Sequence, residues 1–169
     1  MTLAPFPKSE DPARAALVQA VEAYFRACNS GEKSAFFSLF EDNACHYLPK
    51  GMFGPFTDVE SLYVQWRRDA EDNGAYWVLD TVFADPQAGT AVAEWTAVKP
   101  AQKIWFRGVD VFRFAATGKI REVRVYYAAP RDPAIGPNEL GGYDYAAGPF
   151  ARVDTRSYGL IQEAEQKAE

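Results

Sequence analysis

The chain has 169 residues and a formal net charge of −5. That length predicts one domain with its own core, and the absence of a basic run argues against a nucleic-acid partner. No apolar run approaches the roughly 18 residues that a bilayer span needs, and the N-terminus lacks the basic-then-apolar order of a signal peptide. We therefore expect a cytoplasmic protein with no membrane partner.

Three helices are predicted in the first half of the chain. Asp11 is a suitable N-cap and Pro12 occupies the first helical position, so a helix begins there and ends before Gly31. A second, short helix follows. Thr57 and Glu60 have the spacing of a capping box, which predicts the start of a third helix.

Strands dominate the rest of the chain up to about residue 129. A short strand, "ACHYLP", precedes the third helix, and four longer strands follow it: "AYWVLDTVFA", "TAVAEWTAVK", "KIWFRGVDVFRF" and "KIREVRVYYA". Turn-rich connections join these four strands, which is typical of successive antiparallel hairpins. Helices followed by such a meander predict an α+β fold, in which a curved antiparallel sheet wraps around the N-terminal helices to form a cone with one internal pocket.

This pattern divides the chain into three parts. Residues 1–10 form an N-terminal arm, and 11–129 form the cone-shaped domain. Residues 130–169 are a C-terminal extension that we expect to pack on the domain or on a dimer.

The segment "RGVDVFRF", residues 107–114, sets a carboxylate in an apolar strand. Asp110 shares one strand face with Phe106, Phe112 and Phe114. Burial of a carboxylate there is costly unless it is paired or protonated. Polar groups among aromatic ones are typical of a pocket wall, and we expect this face to be one.

The same parity predicts further pocket residues. In the last strand the even-numbered side chains are expected to continue the wall, and the third helix and the strand after it add two tryptophans. The expected substrate-binding residues are Trp66, Trp77, Phe112, Glu122, Arg124 and Tyr126. Two lysines, Lys99 and Lys103, flank the "PAQ" turn and are either solvated or bent into the mouth, and two tyrosines, Tyr143 and Tyr145, either cover the pocket or pack outside it.

The opposite, odd-numbered face carries valines that water would not cover favourably. Val109, Val111, Val123 and Val125 are assigned to it. We expect a homodimer through this face of the sheet, with the C-terminal extension as the alternative cover.

His46 is the only histidine of the chain. An isolated histidine is more often a core residue than a catalyst, and both interpretations stay open. No His, Cys or carboxylate cluster has metal-site spacing, and no phosphate- or dinucleotide-binding motif occurs, so we expect neither a metal nor a cofactor. What remains is acid–base chemistry by Asp110, His46, Tyr24 and Glu122.

Two stretches, "VEAYFRACNSGEKSAFFSLFEDNACHYLP" and "RGVDVFRFAATGKIREVRVYY", resemble the nuclear-transport-factor-2-like superfamily. This superfamily includes ketosteroid isomerase, scytalone dehydratase, limonene epoxide hydrolase and the polyketide cyclases. The resemblance spans roughly residues 12–128 and implies the cone fold. Because members share the cone and differ in chemistry, it does not by itself name a reaction.

The resemblance to ketosteroid isomerase implies roles for individual residues. Tyr24 and Asp110 correspond to its two oxyanion-hole donors, and that isomerase's protonated Asp is a known example of a carboxylic acid kept neutral by an apolar site. In the polyketide cyclases the similar Asp is an acid/base, so the protonation state of Asp110 stays open. The isomerase base corresponds to Leu48, which cannot take a proton. His46, two residues earlier on the same strand face, is expected to replace it.

We therefore expect a cofactor-independent enzyme that acts on a hydrophobic aromatic small molecule. Lyase chemistry is favoured, either dehydration or retro-aldol-type C–C cleavage, and the superfamily includes lyases that release formaldehyde from lignin-derived compounds. The alternatives are an isomerase of a polycyclic ketone and a non-catalytic small-molecule-binding module. A structural dimerisation domain would predict a filled cone.

Overall fold

A computed structural model describes residues 11–49 and 53–127. The N-terminal arm at 1–10 and the whole extension at 130–169, with Tyr143 and Tyr145, lie outside the described residues. Within the described ranges, no helix combines the length and apolar character that crossing a membrane requires.

Three helices form as the sequence predicts. Helix α1 spans Pro12–Ser30, α2 spans Lys33–Ser38 and α3 spans Val59–Asn73. Asp11 caps α1 by accepting a hydrogen bond from the backbone N–H of Ala13.

The cap of α3 differs from the expected one by one residue. Asp58, and not Thr57, is the N-cap, because its carboxylate accepts the backbone N–H of Ser61 at 2.7 Å. The side-chain hydroxyl of Ser61 also donates to this carboxylate, at 2.9 Å. The predicted capping box therefore located the helix start correctly and the capping residue incorrectly.

Five strands form one open sheet: β1 (Phe40–Tyr47), β2 (Tyr76–Asp85), β3 (Thr90–Lys99), β4 (Ile104–Phe114) and β5 (Ile120–Tyr127). Their order in space is β1-β5-β4-β3-β2. The hairpins β2–β3, β3–β4 and β4–β5 are antiparallel as predicted, whereas β1 pairs with β5 in parallel. The sheet is therefore mixed, because β1 connects to the meander through α3 instead of through a hairpin.

The core lies between α1 and one face of the sheet. Its helix side consists of Val21, Tyr24, Phe25 and Cys28, all at most 4% exposed. Alternate residues of β3 and β4 supply the sheet side. The expected α+β architecture with an inward-facing Asp110 is confirmed.

The inward face of β5 differs from the expected one. Asp110 pairs with Val125 and Phe112 pairs with Val123, and paired residues of neighbouring strands share a face. The register shifts by one residue near the start of β5, so Ile120 and Val123 both point inward. This bulge moves the odd-numbered residues of β5 to the core side.

Glu122, Arg124 and Tyr126 consequently lie on the outer face, so the expectation that they continue the pocket wall is wrong. Glu122 lies 3.8 Å from Arg113 and 3.5 Å from Arg124 on that face. Tyr126 is 54% exposed.

The bulge also reduces the apolar area of the outer face. Val123 and Val125 are buried inward, so only Val109 and Val111 of the four expected valines remain outside. The homodimer stays a prediction.

Candidate active site

Tyr24 and His46 are joined in the core by a hydrogen bond. The last half of α1 directs Tyr24 toward β1, where its hydroxyl lies 3.2 Å from Nε2 of His46. Both side chains are almost completely buried. Burial is the main cause that raises the pKa of Tyr24 well above its ordinary value, and the charges of Cys28 and Asp110 act in the same direction. The structure thus joins Tyr24 to His46, as the sequence predicts for two residues of one site.

Asp110 is a buried carboxyl group without an ion-pair partner among the described residues. It is 4% exposed, and its Oδ1 atom has no hydrogen-bond partner in the described part of the chain. Burial raises its pKa to about 7, and the nearby indole of Trp95 opposes that shift. Nε1 of Trp95 makes no hydrogen bond with any of the described residues. A pKa raised in this way would let Asp110 hold or release a proton near neutral pH.

Arg107, three residues from Asp110, does not neutralise it, because the two side chains lie on opposite faces of β4. Arg107 donates to the hydroxyl of Thr96 at 2.6 Å, and that hydroxyl donates to Asp80 at 2.6 Å. This outer network accounts for the arginine of "RGVDVFRF" and leaves Asp110 alone on the inner face.

Gly108 allows the Trp95 ring to approach β4 closely near Asp110. A Cβ atom at Gly108 would come within 2.3 Å of the Trp95 ring and 2.7 Å of the backbone oxygen of Tyr126. The "G-x-D" spacing therefore has a packing reason as well as a chemical one. Trp95 in turn packs edge-on against Phe106 and Tyr127, each with ring centroids 5.8 Å apart.

A cavity opens between α1, α3 and the sheet, and both Tyr24 and Asp110 line it. Trp66 of α3 and Trp77 of β2 form a stacked pair in its wall, with ring centroids 5.7 Å apart and planes 9° apart. The other lining residues are Phe25, Cys28, Leu48, Phe53, Asp69, Trp95, Lys99, Phe106, Val125 and Tyr127. An apolar cavity with a few polar groups is the usual form of a small-molecule site.

Two of the predicted pocket residues are thus found in the wall, and Phe112 is not. Phe112 is completely buried behind Tyr24, with ring centroids 5.2 Å apart. It supports the tyrosine ring without contacting the cavity. Tyr127, the next residue of β5, lines the cavity where Tyr126 was expected.

His46 lies behind the cavity wall. Its ring packs edge-on against Trp66 at 5.2 Å, and it is 1% exposed. Burial lowers its pKa to about 3, so the imidazole is neutral. Nδ1 has no hydrogen-bond partner among the described residues, and Nε2 contacts Tyr24. This position does not fit a base that meets a substrate directly.

Lys99 and Asp69 form an ion pair in the cavity wall. Each side chain is 9% exposed, and the Lys99 ammonium donates to Oδ2 of Asp69. The sequence left Lys99 open between solvent and the pocket mouth, and it gave no reason to select Asp69. The helical spacing from Trp66 to Asp69, three residues, is the one signal that places both on one face of α3.

Other candidate chemistry is weaker. Burial raises the pKa of the Cys28 thiol, which keeps it uncharged in the cavity wall. In the described parts of the chain, no three His, Cys, Asp or Glu side chains are grouped closely enough to hold a metal ion.

Comparison with known proteins identifies the family. Residues 21–123 match the model of the SnoaL-like domain. A protein of unknown function with a cystatin-like fold from Methylobium petroleophilum PM1 is 32% identical, with a TM-score of 0.67 over 91% of this chain and 97% of that one.

Two more distant structures share the fold. An LEH-like epoxide hydrolase from Mycobacterium tuberculosis is 20% identical, with a TM-score of 0.55 over 69% of this chain and 85% of that one. A candidate ketosteroid isomerase from Kribbella flavida is 13% identical, with a TM-score of 0.60 over 71% and 83%. A comparison with curated proteins gives no match. The chain belongs to the SnoaL-like domain family, within the nuclear-transport-factor-2-like superfamily.

Proposed function

We propose that this chain is a cofactor-independent lyase in which Asp110 transfers a proton and the Tyr24 hydroxyl stabilises an oxyanion. The observation that carries the proposal is the buried Asp110, which lines the cavity and has a pKa raised to about 7. A general base works best when its pKa lies near the operating pH. The epoxide hydrolase and the ketosteroid isomerase that share the fold make enzymatic acid–base chemistry a reasonable use of this cavity.

Asp110 replaces His46 as the base in this proposal. A base must come within hydrogen-bond distance of the proton that it removes, and His46 is not among the residues that line the cavity. In the tautomer with the proton on Nε2, its neutral ring donates to the Tyr24 oxygen and leaves the Tyr24 O–H free for the oxyanion. We therefore assign His46 as a positioning residue that acts through Tyr24.

The reaction class follows from the groups in the cavity. In a retro-aldol cleavage, Asp110 takes the proton of a hydroxyl group, the C–O bond becomes a carbonyl as the neighbouring C–C bond breaks, and the carbanion is stabilised as an oxyanion at Tyr24 until it is protonated. In a dehydration, Asp110 takes a C–H proton, the C=C bond forms as the C–O bond breaks, and Asp110 passes the same proton to the departing hydroxyl, which leaves as water. Trp66, Trp77 and Trp95 favour an aromatic substrate, and formaldehyde-releasing cleavage of lignin-derived aromatics is one reaction of this type.

Ketone isomerisation ranks second. Leu48 lines the cavity at the position where the isomerase base is expected, and its side chain cannot carry a proton. A non-catalytic binding module is the remaining alternative. It predicts binding of aromatic ligands without turnover.

Tyr24→Phe tests the proposal. We expect wild-type protein without added cofactor to cleave or dehydrate members of a panel of aromatic β-hydroxy compounds, with water, formaldehyde and isomer formation followed by NMR. Loss of the Tyr24 hydroxyl should reduce kcat by about 10²–10³, as for removal of one oxyanion donor.

Tyr63→Phe is the matched control. It also removes a hydroxyl, which donates to the backbone oxygen of Gly31 at 2.8 Å, away from the cavity. Equal effects of the two substitutions would rule out an oxyanion role for Tyr24.

A further inference from the structure

The Lys99–Asp69 pair is an unusual element in a largely apolar cavity. Both side chains are nearly buried, and Asn73 donates to the other oxygen of Asp69 at 2.6 Å. The Lys99 ammonium also lies 5.7 Å from the ring centroid of Phe106, which lines the same cavity. Ion pairs in such surroundings gain little net stability, because desolvation offsets the attraction.

The pair lies at a boundary between two spaces. Phe53, Asp69 and Lys99 line the cavity that contains Tyr24 and Asp110, and they also line a neighbouring polar pocket. The other residues of that second pocket are Gln65, Arg68, Asp72, Asn73 and Gln102. A ligand in the inner cavity would therefore contact the ion pair at the edge of the apolar cavity, next to the polar pocket.

The hydrogen-bonding capacity of the pair exceeds what the described residues use. An ammonium group has three donors, and Lys99 uses one on Asp69. A carboxylate has about four acceptor sites, and Asp69 uses two, on Lys99 and Asn73. Free donors and a free acceptor are therefore present side by side.

The charge of the pair decides which ligand group fits. Lys99 and Asp69 together are neutral, so a ligand carboxylate would place a second negative charge beside Asp69 in a partly desolvated site. An unsubstituted hydrocarbon would leave the free donors and acceptor unused. A hydroxyl group accepts from Lys99 and donates to Asp69 at once, without adding charge.

We propose that the Lys99–Asp69 pair is the subsite for an uncharged hydroxyl group of the substrate. The chain would then select hydroxylated aromatic compounds over both their carboxylated and their unsubstituted analogues. This inference refines the proposed function, because it concerns the same cavity, but it is a statement about binding and not about turnover.

Three probes of one shape test the inference: 4-ethylphenol, ethylbenzene and 4-ethylbenzoate. Binding is followed by the indole N–H signals of Trp66, Trp77 and Trp95 in nitrogen-15 NMR spectra, since all three line the cavity. We expect 4-ethylphenol to bind about tenfold more tightly than either of the others, which corresponds to one hydrogen bond to a charged group.

Two variants locate the preference. In Lys99→Met/Asp69→Leu the advantage of 4-ethylphenol over ethylbenzene should disappear. In Asp69→Asn the charge of Lys99 is no longer balanced, so 4-ethylbenzoate should gain affinity by about tenfold or more. The control is Lys33→Met/Glu60→Leu, which removes an ion pair of 2.8 Å that is more than half exposed, and it should leave all three affinities unchanged.

Each outcome decides the inference. A preference for 4-ethylphenol that survives in the folded double variant, a wild type that binds 4-ethylbenzoate best, or the absence of indole shifts with every probe would overturn it. The enzymatic proposal fails separately, since a wild type that shows the hydroxyl preference but turns over no panel compound would support this subsite and contradict only the lyase.

Discussion

Asp110→Asn should reduce turnover by about 10²–10⁴, the usual contribution of a positioned proton-transfer group. Asp110→Ala should reduce turnover by about the same factor. An amide can donate a hydrogen bond but cannot take a proton at neutral pH, so Asn replaces a neutral donor and does not replace a base. Because Asp110 lines the cavity and His46 does not, we propose the base over the neutral donor that the resemblance to ketosteroid isomerase implies.

The pH profile gives the same test in the wild type. As a base, Asp110 works in its ionised form, so kcat/KM should rise with pH and level off above its pKa of about 7. Retention of most activity in Asp110→Asn, with severe loss only in Asp110→Ala, would make Asp110 a hydrogen-bond donor and leave the base unassigned.

The same substitution should stabilise the protein above neutral pH. In the unfolded chain this carboxyl group ionises near its ordinary pKa of 3.8, and in the fold it ionises at about 7. Between these values the folded state holds a proton that the unfolded state has lost, so stability falls as pH rises through this window. Above it the fold carries a buried charge that Asn lacks, and Asp110→Asn should therefore increase the free energy of unfolding at pH 8 by up to about 4 kcal/mol.

His46 affects the pH dependence of stability in the opposite direction to Asp110. Its pKa is lowered from 6.5 to about 3, so the unfolded chain takes up a proton before the fold does, and stability falls as pH decreases through this range. Between pH 4 and 6.5 the opposite effects of Asp110 and His46 on the pH dependence of the unfolding free energy largely cancel in the wild type. Removal of Asp110 should expose the His46 slope of roughly 1.4 kcal/mol per pH unit.

Urea denaturation at several pH values measures this difference between the wild type and Asp110→Asn. Asp42→Asn, the same change at an exposed position of β1, is the control and should run parallel to the wild type. If the difference in unfolding free energy between the wild type and Asp110→Asn is constant from pH 4 to 8, the pKa of Asp110 is not raised by the fold. If Asp110→Asn is more stable and less active than the wild type, the buried charge of Asp110 lowers stability and is needed for activity, which is the usual trade-off at a functional site.

Local sequence signals predict most of the helices and strands. Asp11, Pro12 and Gly31 delimit α1 through cap geometry, and turn-rich connections delimit the hairpins, so element types and most bounds could be predicted. Alternation along β4 placed Asp110 inward without knowledge of its neighbours. The parallel pairing of β1 with β5 depends on contacts distant in sequence, and alternation gives no signal for it.

The errors at the site have one main cause. A single bulge near the start of β5 reverses the faces of all residues after it, which moved Tyr126 out and Tyr127 in. Parity did place His46 on the inner side of β1, but it could not show that Tyr24 and Trp66 separate the imidazole from the cavity. Asp69 was missed because its partner, Lys99, lies on a distant strand.

The carboxyl carbon of Asp110 offers the most direct test of this account, since it requires no substrate. A carbon-13 NMR titration of labelled protein, assigned by the signal missing from Asp110→Asn, follows its ionisation. A midpoint near pH 7 is the predicted result, because burial without an ion-pair partner raises the pKa of this group. A midpoint near 3.8 would show a carboxylate that is fully ionised and solvated at neutral pH, and it would contradict the proposed proton-transfer site.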